Sequence, residues 1–158
     1  MSRDQAGDIA QLRKAIALSA TSRAVGHHPF AATVVDADDT VLAESINASA
    51  DDCTGHAEVN AVRAAWKARP AHGLKHATLY SSAEPCAMCA GAIYWSGISR
   101  VVYALSEEHL LTLTGNHPEN PPLSLPCREV FARGQRTVQV SGPMLEDEAA
   151  KAHEGFWR

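Results

Sequence analysis

The sequence predicts an α/β fold, a sheet of about five strands with helices on both faces. Two observations predict it. Short apolar runs rich in β-branched residues alternate with longer stretches of helical period. Read in order they run β-β-α-β-α-β-α, and alternation of that kind packs as a layered α/β domain. A chain of 158 residues, 46% apolar and 20% charged, is long enough for one such domain, residues 1–158, without staples.

Each element has its own local reason. Ile9, Leu12, Ile16 and Ala20 recur at helical spacing and give a first helix that ends before Gly26 and Pro29. FAATVVD (30–36) reads as a buried strand, and the Asp36–Asp39 cluster as a hairpin turn into TVLAESIN (40–47). A second helix runs from about His56 to Arg69, where Pro70 stops it. HATLYSS (76–82) is a third strand. Pro85 suits the first turn of a helix through CAMCAGAIYWSG, because that position needs no backbone N–H. SRVVYAL (99–105) is a fourth strand, followed by a short helix near EEHLLTL. Four prolines and no periodicity make TGNHPENPPLSLP (114–126) an ordered surface loop. REVFARG, TVQVSG and EDEAAKAHEGFW complete the chain as helix, strand and helix.

Charge narrows the function. A net charge of -4, with Lys and Arg scattered, argues against a broad nucleic-acid surface. The N-terminus breaks its apolar residues with Asp8, Arg13 and Lys14, so it offers neither a signal-peptide core nor a membrane span, and a cytoplasmic location is the expectation. In that setting the pair Cys86-x-x-Cys89 points to metal or redox use rather than a disulfide framework.

His56 and the Cys86/Cys89 pair each fall at a predicted helix start, where exposed N–H groups favour thiolates. Three such ligands suit one zinc ion per chain with a fourth position left for water, whose pKa zinc lowers from 15.7 to about 7. Glu58 fits beside the metal rather than on it, as the carboxylate that moves protons. Two plainer readings stand next to this one. Cys53-x-x-His56 with Cys86-x-x-Cys89 has the form of a closed structural zinc site, which leaves Glu58 without a purpose. A thioredoxin-like redox pair leaves both His56 and Glu58 idle.

His56-Ala57-Glu58 followed by Pro85-Cys86-Ala87-Met88-Cys89 matches the H-x-E…P-C-x-x-C pattern of zinc deaminases. By these residues the chain resembles the cytidine deaminase superfamily over residues 9 to about 105, and within it the bacterial guanine deaminase branch. The resemblance implies a three-layer α/β/α fold with a central mixed sheet. It also implies Asn47 and Ala57 at the substrate, with Phe30 and Trp95 as its walls. The C-terminal tail (144–158), ending in Phe156 and Trp157, would close over the site, in some relatives from the partner of a homodimer. Glu119 lies where that branch places a second acidic residue, with Glu129 and Asp147 as alternatives.

Each position also has a bland reading: Phe30 and Trp95 as core, Asn47 as a loop cap, Glu119 as a solvated charge. Glu84 shapes the turn into the cysteine helix, Cys127 is a small buried hydrophobe, and the remaining histidines, including His28 and His153, take surface or loop roles. The expected reaction is hydrolytic deamination of a free purine base, guanine to xanthine and ammonia. Guanosine, ammeline, cytosine or cytidine are the related small substrates. Editing of adenosine in transfer RNA is the competing use of the same metal, and the acidic, aromatic tail argues against it.

Overall fold

The computed structural model describes residues 4–158. Five strands form one mixed sheet in the order β2-β1-β3-β4-β5, where β1 is Ala31–Val35, β2 Val41–Ile46, β3 Thr78–Ala83, β4 Arg100–Leu105 and β5 Gln139–Ser141. β1 pairs antiparallel with β2 and β3, whereas β3–β4 and β4–β5 are parallel. Parallel neighbours need crossovers, and the helices between them supply these. All residues of β1 and β3 are buried because both faces of the sheet are covered.

One face carries α2 (Ala57–Ala68), α3 (Ala87–Ser96) and α5 (Cys127–Ala132), packed on Ala32, Val34, Leu79, Val101 and Tyr103. The other carries α1 (Gln5–Ala24) and α6 (Glu146–Ala150), packed on Val35, Tyr80, Val102, Ala104 and Leu105. The three layers are those expected. A further helix, α4 (Glu107–Thr114), leaves the end of β4 and is followed by an irregular segment through Pro126.

Two local expectations are corrected. α1 begins at Gln5, where the Asp4 side chain caps it by accepting from the Gly7 N–H at 2.7 Å. Its buried face is not the apolar one: Asp8, Gln11, Leu12, Ala15, Ser19 and Ser22 face inward, while Ile9 and Ile16 are half-buried and Ala20 is exposed. The helix is turned so that Asp8 meets Arg100, which donates to it through Nη1 at 2.7 Å and through Nη2, and the Tyr80 hydroxyl, which donates at 2.9 Å. A buried charge is costly unless paired, so this pairing overrides the apolar pattern. Finally, the last helix stops at Ala150 and gives way to a short 3-10 turn, Lys151–His153, before Gly155 takes a left-handed φ of 66°. Among the described residues, no helix is long and apolar enough to cross a membrane.

Candidate metal centre and substrate cavity

The metal cluster is assembled by two helix starts on one face of the sheet. His56 is the N-cap of α2 and Cys86 the N-cap of α3, with Cys89 in the first turn of α3. Pro85 therefore lies just outside α3 rather than within its first turn, since the cap itself is the ligand. Gly55 permits the tight turn ahead of His56, because a Cβ there would stand 2.9 Å from the Asp52 carbonyl oxygen. Packing of α2 on α3 brings both starts together through Ala57, Ala61, Ala90 and Ile93.

His56 Nδ1 lies 3.5 Å from Cys86 Sγ and 3.5 Å from Cys89 Sγ, and the three ligand atoms lie within 4.8 Å of one another. Tetrahedral zinc with ordinary Zn–N and Zn–S bonds places N and S about 3.6 Å apart, so this chain's geometry fits the ion. Hydrogen bonding from Cys89, aided by His56, draws the Cys86 thiol down to about 4, and the bond to Cys86 raises His56. Cys89 is pushed up by its bond to Cys86 and by burial, and a metal would take both sulfurs as thiolates. Among the described residues Cys53 is not in this cluster. It is exposed at the cavity lining, so the closed four-ligand arrangement is not formed.

Glu58, on the first turn of α2, is buried at 6% exposure. Ser81 Oγ of β3 donates to its Oε1 at 2.9 Å, and Cys89 Sγ approaches its Oε2 at 3.5 Å. Burial, then the nearby Cys86, raise its pKa, which is the direction a proton-shuttling carboxylate requires.

The cluster opens into a cavity of about 750 Å³. Of the residues singled out from sequence, Phe30, Asn47, His56, Glu58, Cys86 and Glu119 line it. Asn47 is buried, and its Oδ1 accepts from the Ser49 N–H and hydroxyl at 3.0 and 2.8 Å. Glu119 stands in the segment after α4, 66% exposed, with its carboxylate 3.5 Å from His28 Nε2. The other acidic candidates, Glu129 and Asp147, are not on the lining.

Trp95 does not line the cavity, and its expected place as a wall is corrected. It is 85% exposed, because α3 buries Cys89, Ala90, Ile93 and Ser96 and turns Trp95 to the opposite side. Ala57 is buried in the core beneath the site. Phe156 and Trp157 do not reach the lining either: they stand behind it, with Trp157 centred 5.0 Å from His28 and 6.1 Å from Phe30. The tail packs against its own chain. Arg23 Nη1 donates to the carbonyls of Ala152 and Glu154, and Trp157 Nε1 donates to His153 Nδ1 at 2.9 Å.

Sequence reasoning missed several residues here. His28 lines the cavity and His153 is buried at 4% exposure, so neither is a plain surface histidine. Glu107 also lines it, its carboxyl raised to about 7 by burial and by the charges of Glu84 and Cys86. Glu84 accepts from the Glu107 N–H at 3.2 Å and the Cys127 N–H at 3.0 Å, which anchors the starts of α4 and α5. Its place just before Pro85-Cys86 was the only available signal.

A three-ligand metal centre open to a cavity, with a buried carboxylate at its edge, defines a hydrolytic metalloenzyme. Residues 6–105 match the cytidine and deoxycytidylate deaminase zinc-binding region, and the chain belongs to that family of zinc-dependent deaminases. It is 45% identical over 151 residues to a probable cytosine deaminase of Schizosaccharomyces pombe, spanning 95% of this chain and 92% of that protein. It is 38% identical over 151 residues to a tRNA-specific adenosine deaminase of Buchnera aphidicola subsp. Baizongia pistaciae, spanning 93% and 86%. The fold overlays the solved guanine deaminase of Nitrosomonas europaea with a TM-score of 0.77 at 27% identity, covering 93% of this chain and 82% of that one.

Proposed function

We propose that this zinc-dependent deaminase acts on a free purine base, converting guanine and water to xanthine and ammonia. The observation that carries the reading is the buried Glu58 facing a cavity of about 750 Å³, roomy enough for a bicyclic ring. His56, Cys86 and Cys89 hold the zinc, which when bound supplies a water acidic enough to serve as nucleophile at neutral pH. Ser81 fixes Glu58 through Oε1, and Oε2 would move a proton from the metal side of the cavity to the ring nitrogen and the departing amine.

Asn47 offers its Nδ2 to the ring edge, since Oδ1 is committed to Ser49. Phe30 covers a ring face, and Glu119 serves as the second acidic group at the purine. The whole chain acts as one domain, its tail 144–158 bracing the aromatic wall, in a cytoplasmic homodimer. A second reading, cytosine to uracil, is favoured by the 45% identity to the Schizosaccharomyces pombe protein along nearly the whole chain.

The test is ammonia release by zinc-loaded protein on guanine, guanosine, adenine, cytosine, cytidine and ammeline, with Glu58→Ala as the blank. Guanine as the fastest substrate supports the reading. Cytosine as the fastest replaces it.

A further inference from the structure

The cavity is larger than its chemistry needs. At about 750 Å³ it falls within the range of about 300–1,000 Å³ that houses drug-sized ligands, well beyond a bare nucleobase. Its two ends also differ. Asn47 and Glu58 are buried at the floor, whereas Leu111 and Leu123 are 37% and 54% exposed at the mouth. Leu110, Pro121 and Pro122 extend that apolar mouth.

The lining is also rich in carboxylates, with His28 and His56 as its basic side chains. Glu58, Glu84, Glu107 and Glu119 all contribute to it, and no lysine or arginine does among the described residues, although the chain has 14 of them. The charge of a bound zinc ion is balanced by its two thiolates, so the metal does not cancel the carboxylates' charge. Glu107 and Glu84 stand together on this lining, the Glu107 N–H donating to the Glu84 carboxylate at 3.2 Å. A phosphate brought to the same place meets these carboxylates, and no lysine or arginine of the lining, among the described residues, offsets them.

We propose that the outer half of the cavity is a second subsite, which accepts an uncharged substituent on the ring edge remote from the amino carbon and turns phosphate esters away. The inference rests on the reading that the metal centre deaminates an aminated ring. It places bases with an uncharged substituent among the substrates and leaves nucleotides out.

The test measures dissociation constants on zinc-loaded protein for guanine and cytosine, each as the bare base, with an N-alkyl chain, and with an alkyl phosphonate of the same length. For the base that binds, the alkyl form should bind at least as tightly as the bare one, and the phosphonate at least tenfold more weakly than the alkyl form. Glu107→Gln should narrow that gap by severalfold. An alkyl form weaker than the bare base, or a phosphonate within tenfold of the alkyl form, overturns the subsite alone. Failure of both bare bases to bind or be turned over removes the underlying reading and the subsite with it.

Discussion

The floor of the cavity and its outer wall are built on different principles. At the floor, His56, Glu58, Cys86 and Cys89 sit on the starts of two helices backed by the sheet, and Ser81 of a wholly buried strand holds the carboxylate. At the wall, Glu119 rides on an irregular segment, 66% exposed, its carboxylate 3.5 Å from Nε2 of His28, which leans on Phe156 and Trp157. The difference teaches where each part of the function resides. On the proposed function, proton transfer, which needs sub-ångström placement, has rigid supports, whereas the contact assigned to Glu119 rests on a part of the chain that can be changed cheaply.

The largest effect should come from the floor. Glu58→Gln keeps the shape and the ligand set but removes the proton shuttle, so turnover should fall by about 10²–10⁴-fold while zinc content, read by atomic absorption, stays at one per chain. Loss of the metal in this variant would show that the floor is not as separable as its geometry indicates.

Next is acid sensitivity of the wall. Burial, with help from Arg23, lowers His153 from its ordinary 6.5 to about 4. Between those values the unfolded chain binds a proton that the folded chain refuses, so stability falls as pH drops from about 6.5 to 4, by on the order of 3 kcal/mol. Urea midpoints across that range should decline more steeply for the native chain than for His153→Phe.

A smaller loss is expected from Glu119→Gln. It removes one charged hydrogen bond, worth about 1.5–3 kcal/mol, and so should lower kcat/KM on the selected base roughly tenfold or more without touching zinc content. Unchanged kinetics would reduce Glu119 to a solvated charge. The smallest effect should be that of Cys53→Ser, which should leave bound zinc at one per chain because Cys53 stands outside the cluster.

The two regions also differed in how far they could be read from the chain. Five strands and the three metal ligands were legible because each rests on short-range signals: alternating apolar runs, a Cys-x-x-Cys spacing, a histidine two residues before a glutamate. What escaped depends on pairs far apart in the chain. Nothing local announces that Asp8 will meet Arg100, that Ser81 will hold Glu58, or that Trp95 will face away from the site. The aromatic residues were the least legible, since the same side chain fills a core, walls a pocket or lies on a surface according to a rotation of its helix.

Glu84 holds the amide of Glu107 with one oxygen and the amide of Cys127 with the other, so the segment between them starts and finishes at a single post. A loop whose ends are already gathered pays little for changes in its length, about 0.6 kcal/mol for each doubling. Residues 108–126, which carry Leu110, Glu119 and Leu123, therefore behave as an exchangeable cassette. One side of the cavity can thus gain or lose residues while the metal helices stay as they are.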